Sequence, residues 1–65
     1  MGVISATYLK QHCKVIEENT YQVLLLNEDI NGYYLVTKQG KRYTMPQRIK
    51  LSEIEKYKLM VRTNK

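Results

Sequence analysis

The chain is poor in the residues that small proteins use as cross-links or large aromatic anchors. It has one cysteine, one proline and three glycines among 65 residues, and it has no tryptophan or phenylalanine. One cysteine cannot form an internal disulfide, and small extracellular domains usually need several. We therefore expect a protein of a reducing compartment, the cytoplasm.

Long apolar runs are absent too. No stretch of 18 apolar residues occurs, and no charged segment leads into an apolar one, so the sequence predicts neither a membrane span nor a secretion signal. A chain of 65 residues holds one domain, expected over 1–65, and is far shorter than the doubly wound sheets and barrels that most enzymes use.

The sequence lacks a recognisable catalytic or cofactor motif. His12 and Cys13 are adjacent, and neighbours on a helix point about 100° apart, so they cannot act as base and nucleophile. One histidine and one cysteine fall short of the three or four ligands of a metal site. No Walker-type phosphate loop or dinucleotide fingerprint is present. We predict a protein that is not an enzyme and that has no metal or other cofactor.

Acidic charge is confined mostly to the first half of the chain. Residues 1–32 carry two Lys or Arg and four Asp or Glu, a net charge of −2, whereas residues 33–65 carry nine and two, a net charge of +7. Such asymmetry is typical of proteins that bind a polyanion or an acidic protein face. A total of +5 also suits plain solubility, for which about 2–8 is ordinary.

The first element is predicted to be an amphipathic helix over 6–18. Ser5 is a suitable N-cap, and an apolar stripe follows at helical spacing. Asn19 can adopt the left-handed conformation that ends a helix. The stripe consists of Ala6, Leu9, Cys13 and Ile16. In the alternative reading, Val15 and Ile16 belong to a strand that leaves only a short helix before it.

Three antiparallel strands are predicted over 20–45. Residues 20–26 are β-branched, aromatic and aliphatic and become apolar on both faces, as in a central strand. Asn31-Gly32 favours a tight hairpin before a strand over 33–38, although Glu28 and Asp29 allow a longer loop. Gln39-Gly40 predicts a second turn before a strand over 41–45, which Pro46 ends.

A two-residue second turn predicts which side chains share a face. Lys38 would then lie opposite Lys41, and Val36 opposite Tyr43. The core face would collect Tyr34, Val36, Tyr43 and Met45. The opposite face would be a mixed aromatic and basic surface of Tyr33, Leu35, Thr37, Arg42 and Thr44.

The tail allows two readings, and these decide the fold class. Ser52 and Glu55 form a capping box, which favours a short C-terminal helix. The fold is then α+β, with an N-terminal helix, a three-stranded antiparallel meander and helices covering one face of the sheet. Alternation over 57–62 favours instead a final strand and a small SH3-like β-barrel.

The strongest functional signal is a group of basic residues interleaved with tyrosines. Cations at a hairpin can reach phosphates, and exposed tyrosines can stack on unpaired bases. Four to six phosphate contacts would give a log–log salt slope of about −4 to −5. In the competing interpretation, the rings form core and the cations protect an edge strand. The candidate site residues are Tyr33, Lys38, Lys41, Arg42, Tyr43, Arg48 and Lys50.

Three function classes follow. The first is a small non-enzymatic nucleic-acid-binding protein, a type that often serves regulation. The second is a protein-binding regulator or inhibitor of the kind viruses and mobile elements use, which docks a partner enzyme, with an acidic surface, through a Tyr and Arg face. The third is a structural subunit: Leu24, Leu25, Leu26 and Ile30 exceed what a short monomer can bury, and the surplus would close a homodimer.

Overall fold

The computed structural model describes residues 6–29, 31–44 and 46–63, and these form two helices and five strands. In chain order the elements are α1 (Ala6–His12), β1 (Lys14–Glu18), β2 (Gln22–Asn27), β3 (Gly32–Gln39), β4 (Arg42–Tyr43), β5 (Gln47–Ile49), a 3₁₀ helix (Leu51–Glu53) and α2 (Ile54–Thr63). The predictions for Ser5, Ile30 and Met45 lie outside the described residues.

The sheet is antiparallel and open, with the order β1-β2-β3 and with β4 and β5 along the free side of β3. Lys38 lies opposite Tyr43, and Leu35 lies opposite Gln47. Two β3 residues thus face three residues on the edge, so β4 and β5 are two parts of one edge strand with an irregularity between them. That irregularity contains Pro46, which has no N–H to donate to a strand ladder.

Two hydrophobic cores lie on opposite faces of the sheet. Central strands β2 and β3 are apolar on both sides, so each face needs its own cover. The α1-side core consists of Ala6, Leu9, Val23, Leu25, Tyr34 and Val36, with Cys13 and Tyr43 at its border. The α2-side core consists of Leu24, Leu35, Ile49, Ile54 and Val61, with Ile16, Tyr33, Tyr57 and Met60 at its border.

The predicted α+β class is confirmed, and the barrel alternative is wrong. The tail is helical over Ile54–Thr63 and the sheet does not close. Two details differ from the prediction. The helices cover opposite faces, because Leu24 and Leu35 form a second apolar surface. Ser52 lies inside the 3₁₀ helix that precedes α2 and does not cap α2 at the predicted position.

The first helix is shorter than the predicted span of 6–18. It ends at His12, and Lys14–Glu18 form a strand, as the alternative reading had it. The ladder with β2 shifts between Val15 and Glu17, so Ile16 occupies a bulge. Ile16 therefore contacts the α2-side core, whereas Ala6, Leu9 and Cys13 contact the α1-side core. The apolar residues at helical spacing in the sequence therefore do not all belong to one helix.

The first hairpin has the longer loop that Glu28 and Asp29 allow, and the predicted register of the second hairpin is wrong. Asn27 lies opposite Gly32, so the β2–β3 loop has four residues, and Asn31 takes the left-handed conformation with φ 49°. In the second hairpin, Gln39 lies opposite Arg42, so the turn consists of Gly40 and Lys41, and Lys38 does not face Lys41. Gly40 has φ 65°, the conformation that glycine adopts at no steric cost.

The buried Asn19 joins the β1–β2 turn to the end of α2. Its Oδ1 accepts hydrogen bonds from the backbone N–H groups of Tyr21 and Gln22, both at 2.7 Å. Its Nδ2 donates to the carbonyl of Val61 at 2.7 Å, one of the terminal carbonyls that a helix leaves without a partner. The prediction that Asn19 ends a helix in the left-handed conformation is wrong, because it forms this turn instead.

Within the described ranges, neither helix has the length and apolar character required to cross a bilayer.

Candidate functional site

Four cations lie along the β4–β5 side of the sheet, which we call the basic edge: Lys41, Arg42, Arg48 and Lys50. Lys41 is in the β3–β4 turn, Arg42 begins β4, Arg48 is in β5 and Lys50 follows it. Arg42 lies opposite Gln39 and Arg48 opposite Tyr34. Those two positions are five residues apart in β3, which corresponds to about 17 Å along the edge.

The side chains of the basic edge are exposed and carry unbalanced charge. All four residues are exposed. Of the described residues, none forms a hydrogen bond or ion pair with these side chains. The sequence contains no Asp or Glu between Asp29 and Glu53. The four side chains therefore carry positive charge that no described carboxylate neutralises in an ion pair.

The acidic residues of the opposite edge strand are engaged by other cations. Glu17 accepts a hydrogen bond from Arg62 at 2.9 Å, which raises the pKa of that guanidinium. Glu18 contacts Lys38 at 2.6 Å and Lys10 at 3.4 Å. The hydrogen bond from Lys38 is the main cause that lowers the pKa of Glu18, despite its partial burial. The acidic and basic strands are thus on opposite edges.

Lys38 does not belong to the exposed group with which the sequence placed it. Its side chain is only 17% exposed and its ammonium is held by Glu18. The predicted helix over 6–18 assigned Glu18 to a helix end. Once residues 14–18 form β1, Glu18 faces the same side of the sheet as Lys38, and the pair forms.

The structure also separates the predicted tyrosines. Tyr33 is half-buried against the α2-side core, and Tyr43 is half-buried against the α1-side core. The register keeps Tyr33, Leu35 and Arg42 on one side of the sheet, as predicted. That side is not an exposed aromatic surface, because α2 covers Tyr33 and Leu35 while Arg42 stays exposed. Tyr33 and Tyr43 therefore do not form one aromatic surface.

Sequence reasoning missed Tyr21, the most exposed of the large hydrophobic side chains in the described ranges, at 63%. It lies in the β1–β2 turn, where its carbonyl accepts a hydrogen bond from the N–H of Lys38 at 2.6 Å. The sequence assigned it to a strand. A shorter first helix would have moved it into the turn and indicated an exposed ring.

The His12 and Cys13 pair shows no catalytic arrangement in the described part of the chain. His12 is exposed and its ring lies 4.2 Å from that of Tyr8, centroid to centroid. Burial, and secondarily the charge of Asp29, raise the pKa of the Cys13 thiol, which disfavours the reactive thiolate. Across the described residues, no three His, Cys, Asp or Glu side chains are grouped to hold a metal ion.

Comparison of the chain with protein-family models, curated proteins and solved structures finds no match.

Proposed function

We propose that this is a small non-enzymatic protein that binds nucleic acid through the phosphate contacts of its basic edge. The observation that carries the proposal is the set of four exposed cations along the basic edge, with Arg42 on the α2 side of the sheet and Arg48 on the α1 side. Within the described residues, none of the four forms an ion pair. Lysine and arginine spaced along an edge match a polyanion whose charges repeat at regular intervals. A B-DNA strand carries one phosphate per about 3.4 Å of axis, so about 17 Å of edge faces roughly five phosphates.

Edge protection alone requires fewer charges than this strand carries. Lysines on an edge discourage pairing with another chain, but short strands, bulges and proline do so as well. β4 has two residues and β5 three, and Pro46 interrupts them. Because the backbone already limits strand addition, the four cations are available for a ligand.

A protein partner with an acidic surface is the competing candidate. The fold supports it less than the sequence does. That hypothesis relied on a joint Tyr and Arg face. Tyr33 is packed under α2 and Tyr43 lies on the other side of the sheet. The homodimer hypothesis has lost part of its basis too, because Leu24 and Leu25 are fully buried within one chain.

The proposal predicts that charge position, not total charge, controls affinity. We expect Lys41→Ala and Arg42→Ala each to weaken binding to a labelled random-sequence oligonucleotide roughly three- to tenfold, the loss of one charged contact. Lys14→Ala is the matched control, since it removes from β1, on the opposite edge, an exposed cation that has no ion pair among the described residues. Fluorescence anisotropy in 50 mM salt measures all three.

The control should change affinity less than twofold. Equal weakening by all three substitutions would contradict the basic edge as the binding surface. Absence of binding by the unsubstituted protein would overturn the nucleic-acid proposal and favour the acidic protein partner.

A further inference from the structure

We infer that the end of the sheet carrying Tyr21 and the β3–β4 turn is a binding site for single-stranded nucleic acid, with Tyr21 as the ring on which a base stacks. The inference rests on the proposed function and narrows it to one class of ligand. It assigns a contact residue outside the basic edge.

The backbone of Tyr21 is held firmly although its ring is exposed. Its N–H donates to Asn19 at 2.7 Å, and its carbonyl accepts from Lys38 at 2.6 Å. The side chain is 63% exposed and belongs to neither core. A rigidly mounted, exposed tyrosine supplies a large contact surface at low conformational cost.

The register brings this ring to the same end of the sheet as the first two cations of the basic edge. The carbonyl of Tyr21 is bonded to Lys38, and Lys38 lies opposite Tyr43 in β4. Tyr21 is therefore two strand spacings, about 10 Å, from β4. Lys41 and Arg42 immediately precede Tyr43 in the chain. Tyr21 and these two cations therefore lie at the same end of the sheet.

A ring beside cations selects unpaired nucleotides. Bases in a duplex are stacked on each other, whereas a single strand can place a base on a protein ring while its phosphates meet lysine and arginine. The tyrosines of β3 and β4 are packed against the cores. Tyr21 is thus the ring near the basic edge that is free to stack.

The test compares Tyr21→Leu with Tyr21→Phe on two labelled probes, a 15-nucleotide oligothymidylate and a random-sequence duplex of 15 base pairs. The leucine variant should lose at least fivefold in affinity for the single strand, in line with roughly 1–3 kcal/mol per stacked base. The phenylalanine variant should stay within twofold, and duplex binding should change in neither. Tyr8→Leu, which removes an exposed ring from α1, is the position control.

Stacking has a second readout that needs no substitution. On addition of the oligothymidylate, the ring proton resonances of Tyr21 should shift upfield, while those of the buried Tyr34 should not.

The outcomes separate this inference from the proposed function. Unchanged single-strand affinity in Tyr21→Leu, with affinity lost in Arg42→Ala, would overturn the stacking site and leave the basic edge standing. Equal losses for duplex and single strand would overturn single-strand selection. No binding by the unsubstituted protein to either probe would overturn both proposals.

Discussion

Glu18 is the carboxylate that fixes the charge arrangement on the α1 side of the sheet. Lys38 and Lys10 both contact it, so two cations that would otherwise add to the exposed positive charge are held in a partly buried cluster. Between Gly32 and Lys50, the described cations without an ion pair are then those of the basic edge. One residue thus decides which lysines are free for a ligand.

At the residue scale we predict a pH-dependent contribution of Glu18 to stability. Its pKa in the folded chain is below the ordinary value of 4.5. The ionised carboxylate therefore stabilises the fold above about pH 4.5, and this contribution is lost as the pH falls through the lower folded pKa. Its side chain is 38% exposed, so screening limits the effect of Glu18→Gln to about 0.5–1 kcal/mol at pH 7.

Urea unfolding at pH 7 and pH 3 measures this difference. We expect the difference in stability between the variant and the unsubstituted protein to be smaller at pH 3 than at pH 7. Glu28→Gln, which removes an exposed carboxylate without an ion pair among the described residues, should have no comparable effect at pH 7. If Glu18→Gln lowered the free energy of unfolding as much at pH 3 as at pH 7, the stabilisation by Glu18 would not come from its charge.

At the scale of elements, Asn19 connects the β1–β2 hairpin to α2. The side-chain amide of Asn19 accepts hydrogen bonds from two backbone N–H groups that follow it and donates one to the carbonyl of Val61 in α2. Val61 is fully buried in the α2-side core. The hairpin and the last turn of α2 are therefore held together by both hydrogen bonding and packing.

We predict that Asn19→Ala lowers the free energy of unfolding by about 2–3 kcal/mol, because it leaves the buried carbonyl of Val61 and two partly buried N–H groups without their partner. Asn19→Asp keeps the oxygen acceptors of the turn but has no N–H for Val61. Hydrogen exchange should then be faster at the end of α2 in Asn19→Asp while the β1–β2 turn stays protected. Equal exchange in the helix would show that the bond to Val61 does not hold it.

The sequence predicted element types well where periodicity was strong, and poorly where a loop or bulge interrupted it. Strands β2 and β3 and the C-terminal helix were predictable from apolar residues on both faces and from the capping signal. The end of α1 before Cys13 was not predictable in this way. Ile16, which occupies the bulge in β1, lies at helical spacing from the apolar residues of α1 in the sequence. Asn31 does adopt positive φ, but it ends a four-residue loop, a length that local turn preference does not determine.

At the scale of the whole molecule, a 65-residue chain divides its apolar residues between two faces of one thin sheet. In the described part of the chain, a helix packs against each face of the sheet, which leaves no broad sheet face there for a ligand. The exposed parts of the sheet are its edges and ends. A ligand of the sheet would therefore bind at an edge or an end, where the basic edge and the turn beside it lie.

The candidate site was predictable in part for the same reason. The positive charge of the second half and its position at the second hairpin predicted Lys41, Arg42, Arg48 and Lys50 as site residues. The burial of Tyr33 and the pairing of Lys38 depend on contacts with distant parts of the chain, namely α2 and Glu18. The exposed position of Tyr21 in the β1–β2 turn follows from the end of α1 at His12. Long-range contacts of this kind leave no local signal.

Phosphate binding by the basic edge predicts that affinity falls steeply as salt is added. The measurement is anisotropy of a labelled random single strand from 50 to 300 mM salt, for the unsubstituted protein and for a variant with all four edge residues changed to alanine. Four contacts predict a log–log slope of about −3 for the protein and a slope near zero, with little binding, for the variant. A variant that keeps both affinity and slope, or a protein that does not bind at 50 mM salt, would contradict the account.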